Sequence, residues 1–326
     1  MINPITTALL GLSVADAIGV PVEFQTREEL DENPVTDIRG YGTYNQPPGY
    51  FSDDSSLAFG LAESLAMGAF DLKSQAQRLI NYKYAGYWTP DHEMFDIGMT
   101  TSAAIDRLMM KLGEGKEAEL ANLRLLAKES DNGNGALMRI FPLYAYLRDK
   151  PVEIWFEYIW QHSALTHGHI RSACCCFLYL RFCAHLVAKA TKEEALEMAR
   201  RELLDFLMVA KLPIEELDAL ATLIQADFAN LARTQVQGSG YVVECLEAAL
   251  WCLFNADNYR DAVLKAVNLG QDTDTTACVV GAPAALLYGV EAIPANWLAA
   301  LARREEIIDL GDRLHAAYPR YSVSVS

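Results

Sequence analysis

Helical periodicity dominates this chain, and the alternating patterns that predict strands are scarce. Thr191-Lys192-Glu193-Glu194 reads as a capping box, after which Leu196, Ala199, Leu203, Phe206 and Leu207 recur at helical spacing. Leu57, Leu61 and Leu65 mark one face of another helix. The segment from Tyr241 to Phe254 is apolar around most of its circumference, which predicts a buried helix. No internal repeat, low-complexity tract or Pro/Gly/Ser linker separates these segments. The pattern therefore predicts one all-α domain over residues 1–326, with its chemistry in the loops and helix starts.

Composition fits a globular chain, with 52% apolar and 21% charged residues, and 326 residues suffice for a sizeable core. The formal net charge is −16, from 27 Lys+Arg against 43 Asp+Glu. A surface this acidic repels phosphate backbones and anionic membrane, so nucleic acid is not an expected partner. A small anionic substrate stays compatible if bound cations reverse the local sign. The first basic residue is Arg27, so the charged region that opens a signal peptide is missing. The apolar run from Ala8 to Ala15 breaks at Asp16 and is too short to span a bilayer, and no uncharged stretch elsewhere is long and apolar enough to read as a membrane helix, so no membrane insertion is expected. The seven cysteines sit among apolar residues without a C-x-x-C pair, as reduced thiols in a core do. A cytoplasmic location is expected.

Two oxygen-rich clusters stand out. Ser52-Asp53-Asp54-Ser55 and Asp272-Thr273-Asp274-Thr275 each precede an apolar run, as at a helix start. One such cluster explains itself as an N-cap with a carboxylate on the helix dipole. Asp272 and Asp274 are read as lying in a loop, with Thr275 where the next helix begins. Two carboxylates and a hydroxyl within four residues exceed what one cap requires. Together the clusters suggest a shared site for hard divalent cations, which prefer oxygen ligands.

Other segments carry weaker signals. Glu23 closes a mostly apolar stretch, where a carboxylate tends to hold its proton and can serve acid/base chemistry; a solvated loop residue looks the same in sequence. Gly133-Asn134-Gly135 reads as a turn before a helix, suited to phosphate or to no ligand at all. His162, His167 and His169 match no zinc spacing, which leaves them to line a polar site or cap a helix.

Taken in order, these motifs resemble the ADP-ribosylglycohydrolase family. The set runs Asp16…Gly19…Glu23, Gly49-x-x-Ser52-Asp53-Asp54-Ser55, Gly133-Asn134-Gly135-x-x-Met138-Arg139, Thr166-His167 and Asp272-x-Asp274-Thr275. The resemblance implies an all-α orthogonal multi-helix bundle holding two Mg²⁺ ions, with Mn²⁺ also compatible. It implies Ser52, Asp53, Asp54, Asp272, Asp274 and Thr275 as their ligands. The ions would engage the distal ribose for attack by water, through a transition state of oxocarbenium character. Gly133, Asn134 and Gly135 would hold the diphosphate, His167 would join the ligand-binding residues, and Tyr241 would stack on adenine.

Asp96-Ile97-Gly98-Met99-Thr100-Thr101 looks like the segment of the arginine-specific branch, where Asp96 would engage a guanidinium. Removal of ADP-ribose from arginine on a modified protein is thus the implied activity, with Glu23 the competing acid/base residue. Serine or O-acyl linkages, and immunity against an ADP-ribosyltransferase, remain alternatives. The family's first motif often reads Thr-Asp-Asp-Thr. Here both hydroxyl residues are serine, so Ser52 keeps its oxygen but gains χ1 freedom.

Overall fold

The computed structural model describes residues 2–319 and contains helices and turns, with no strand among them. At its centre lies the helix Pro4–Gly19, capped by the Asn3 side chain and buried from Ile5 to Gly19. A helix apolar on every side belongs inside a core, and this one runs along Thr273–Tyr288. The two backbones nearly touch: a Cβ on Gly11 would meet Gly281 O at 2.5 Å, and one on Gly19 would meet Asp274 Cα at 2.4 Å. That close approach places Asp16, on the first helix, beside the start of the second.

Val242–Phe254 and Tyr259–Val267 pack against Thr273–Tyr288, while Arg304–Ala317 packs against the N-terminal helix. Asp53–Leu65, Leu72–Ala85 and Met99–Gly113 form one flank; Trp155–Ser163, Ile170–Val187 and Lys192–Ala210 form the other. One continuous apolar cluster links these elements. The capping box at Thr191 forms as the sequence predicts, with reciprocal bonds between Thr191 and Glu194 of 3.2 and 3.0 Å. All seven cysteines are buried and unpaired.

Three sequence expectations need correction. Two helices, Pro4–Val22 and Ile170–Val187, are long and apolar enough to cross a bilayer by length and composition. Within the fold the first is wholly buried and the second largely so, so both serve as core elements. No regular helix follows the Gly-rich turn. Residues Asn134–Ala136 make one 3₁₀ turn, and the next α-helix is Leu143–Leu147, because Pro142 offers no N–H and disfavours helical geometry just before it. Finally, the second acidic cluster is not a loop: the helix begins at Thr273, so Asp274 and Thr275 occupy its first turn.

Candidate active site

Both acidic clusters are helix N-termini, and the central helix pair brings them together. Ser52 caps Asp53–Leu65, its Oγ accepting from Asp54 N and donating to Asp54 Oδ2 at 2.9 Å. Thr275 Oγ1 donates to the same Asp54 oxygen at 3.3 Å. Asp16 anchors this turn from the neighbouring helix, accepting from Ser52 N at 3.0 Å, Ser55 N at 3.1 Å and Ser55 Oγ at 2.5 Å. Asp272 is held from the other side, its Oδ2 accepting from Asn134 Nδ2 at 2.8 Å.

The carboxylates form two groups that share Asp274. Oxygens of Asp16, Asp54 and Asp274 lie within 4.8 Å of one another, as do oxygens of Glu23, Asp272 and Asp274. Asp53 belongs to neither group and lines the adjoining cleft with Asp96. Asp16, which the ligand set implied by resemblance omits, lies within the first group, with its oxygens engaged by Ser52 and Ser55. Its signal was its position in the first motif, yet nothing local in an apolar helix marks an aspartate as a ligand.

Burial raises the proton affinity of the whole cluster. It pushes Asp16 up to about 6 against the opposing serine hydrogen bonds. Glu23 is pushed up to about 8, by burial and then by the Asp96 charge, although the Tyr44 hydroxyl bonds to it. Asp53, Asp54 and Asp274 are raised well above the carboxylate range by burial and mutual repulsion, and Asp272 is raised as well. Asp54 Oδ1 and Glu23 Oε2 are buried without a hydrogen-bond partner. An all-oxygen donor set with orphaned, mutually repelling carboxylates fits hard divalent cations.

This arrangement predicts how the metal-free protein responds to pH. A carboxylate whose folded pKa exceeds its unfolded value stabilises the fold below the unfolded pKa and loses that contribution as pH rises through the folded one. Asp16 and Glu23 set the window, from the unfolded values of about 4 to the folded values of about 6 and about 8. Thermal melts in EDTA should show falling stability across that window, and Mg²⁺ should restore it at the alkaline end. A flat profile would contradict the repulsion.

Beside the carboxylates opens a cleft of roughly 430 Å³, lined by Glu23, Asp53, Asp96, the Gly133–Gly135 turn, His167 and Gly240. A bridge between Gly133 and Tyr241 fixes its far end, with Asn134 N donating to Gly240 O at 3.0 Å and Val242 N to Asn132 O at 3.1 Å. The Asn134 N–H is thus already committed, contrary to a turn whose amides all face a ligand. Tyr241 is partly exposed there, and its hydroxyl accepts from Arg171 at 3.3 Å. His167 is buried, bonded at Nδ1 to Thr166 Oγ1 at 2.8 Å, and burial followed by the Arg139 charge lowers it to about 3. It works as a neutral polar group. His162 bonds to Gln75 and His169 caps Ile170–Val187, so the three histidines do not form a metal site.

Packing explains the turn's second glycine. A Cβ on Gly135 would sit 2.6 Å from His167 Cε1 and 3.0 Å from Thr101 Oγ1. Gly135→Ala should displace His167 and raise the KM for the substrate of this cleft about tenfold in steady-state assays. An unchanged KM would show that this wall does not touch substrate.

Comparison with known proteins places this architecture. A sequence profile described as ADP-ribosylglycohydrolase matches residues 2–322. The chain is 32% identical to an ADP-ribosylarginine hydrolase Tri1 of Pseudomonas putida (strain GB-1), covering 96% of this chain and 78% of that protein. It is 28% identical to the ADP-ribosyl-[dinitrogen reductase] glycohydrolase of Rhodospirillum rubrum, covering 92% and 90%. A solved structure titled ADP-ribosylglycohydrolase-related protein complex superposes with a TM-score of 0.78 at 29% identity, covering 97% of this chain and 98% of that one. Fold and site define a glycohydrolase, an enzyme that cleaves glycosidic bonds. The chain belongs to the ADP-ribosylglycohydrolase family.

Proposed function

We propose that this enzyme removes ADP-ribose from arginine side chains of modified proteins, reversing mono-ADP-ribosylation. The observation that carries the reading is Asp96 in the cleft, close enough to Glu23 and Asp53 to perturb both. A carboxylate at that position suits the leaving guanidinium, which it can hold through charge-assisted hydrogen bonds. Identity to two arginine hydrolases, from Pseudomonas putida and Serratia proteamaculans, supports the same linkage.

The chain's groups divide the work along the cleft. The Gly133–Gly135 turn and His167 receive the diphosphate, and Tyr241 receives the adenine. Asp54, Asp272 and Asp274, with Asp16, Ser52 and Thr275 around them, would hold two Mg²⁺ or Mn²⁺ ions at the ribose end. When bound, such ions would supply Lewis-acid polarisation at the ribose. Asp53 and Asp96 face the anomeric side. Water adds to the anomeric carbon as the C–N bond breaks, and Glu23 takes the water's proton while the guanidine leaves against Asp96. We place the enzyme in the cytoplasm, without membrane insertion, because seven buried free thiols suit a reducing compartment.

The test is ADP-ribose release from an arginine-modified protein, with Mg²⁺, with Mn²⁺ and after EDTA, beside a serine-linked substrate. Metal-dependent release from arginine alone is expected. Release from the serine linkage alone would overturn the assignment of Asp96.

A further inference from the structure

Phe24 combines three features that together need an explanation. Its backbone is left-handed, with φ of +68°, a costly conformation for a bulky residue. The residue is 67% exposed although it lines the cleft beside Glu23 and Asp96. Its conformation is also actively held. Phe24 N donates to Gln271 O and Gln271 N donates to Gln25 O, each at 2.7 Å, and Gln271 is itself left-handed at +65°. Two strained residues are thus clamped to each other, one next to Glu23 and the other next to Asp272.

The clamp directs the ring into a row of aromatics. Phe24 lies 6.4 Å from Tyr44, and Tyr44 lies 5.2 Å from Phe95, the neighbour of Asp96. The Tyr44 hydroxyl is occupied by Glu23, which fixes that ring from behind. The result is a run of mutually tilted rings, at 59° and 54°, whose exposed end at Phe24 shares the cleft with Glu23 and Asp96. A guanidinium is planar and weakly hydrated, so it takes carboxylates at its edge and an aromatic ring at its face.

We propose that Phe24, backed by Tyr44 and Phe95, forms the ledge on which the arginine side chain of the modified protein lies. The inference rests on the arginine reading above and adds the residue that recognises the guanidinium face. Aliphatic replacement removes the ring's quadrupole but keeps apolar bulk, so it separates a cation–π contact from simple packing.

The experiment uses ADP-ribosylagmatine as substrate and ADP-ribose as competitive inhibitor, with wild type, Phe24→Leu, Phe24→Tyr and Phe24→Ala. Phe24→Leu and Phe24→Ala should raise KM for ADP-ribosylagmatine about tenfold, with Phe24→Tyr close to wild type. The Ki for ADP-ribose, which lacks the guanidinium, should move less than about twofold. Equal rises in KM and Ki would overturn the ledge and indicate a structural loop residue. So would a Phe24→Leu enzyme that matches wild type. A wild-type enzyme that binds ADP-ribose yet leaves ADP-ribosylagmatine intact would instead sink the arginine reading, and the ledge with it.

Discussion

Asp274→Asn is expected to lower kcat/KM by at least about a thousandfold, or about 4 kcal/mol of transition-state stabilisation. Asp274 is the one carboxylate shared by both oxygen groups, so its loss weakens both candidate cation positions at once. The same substitution should change stability in the opposite sense. Asp274 is buried at 1% exposure, and burial and then the charges of Glu23, Asp54, Asp272 and Asp16 all disfavour its ionised form. A neutral amide of the same shape relieves that repulsion, so the metal-free variant should melt a few degrees above metal-free wild type. Mg²⁺ should then add little to it, because a ligand stabilises only in proportion to its binding. Activity assays with melts in EDTA and in Mg²⁺ check both halves. A variant that is inactive, melts lower and still gains from Mg²⁺ would contradict the shared-ligand role.

How far the chain could be read in advance depended on whether a residue's role is local. Ser52, Asp54, Asp272 and Asp274 stood out because excess oxygen at a helix start is visible within four positions. The amphipathic helices were visible too, as was the Thr191 capping box, since both are short-range patterns. Asp16 was visible only as part of an ordered motif set. It lies inside a helix that is apolar on all sides, and its partners arrive only because Gly11, Gly19 and Gly281 let two backbones close up. The same helix shows why length and hydropathy alone do not decide the matter: a fully buried helix and a membrane span share one composition. Near Gly135, local helix propensity pointed one way and Pro142 the other, and the proline prevailed. The aromatic ledge was invisible for a different reason. Phe24, Tyr44 and Phe95 come from three separate segments of the chain, and no spacing rule joins them.

Asp96→Asn is the second large effect, a fall of about a hundredfold or more in kcat/KM on arginine-linked substrate. The amide keeps the shape of Asp96 but cannot offer two anionic oxygens to a guanidinium, so the leaving group loses its charge-assisted bonds. Hydrolysis of O-acetyl-ADP-ribose, whose leaving group carries no cation, should fall less than about tenfold under the same conditions. Equal losses on both substrates would reject the guanidinium role. Asp96 is outside both carboxylate groups that could hold a cation, so stabilisation by Mg²⁺ should persist. The pH profile gives an independent reading. After burial, the Asp96 charge is the largest influence raising Glu23 to about 8. Removing that charge must lower the proton affinity of Glu23, so the limb of the profile set by Glu23 should move toward acid pH. Asp96→Ala should move the limb in the same direction, whereas a change in packing alone carries no fixed sign. The shift and the substrate preference together separate an electrostatic neighbour of Glu23 from a residue that merely shapes the cleft.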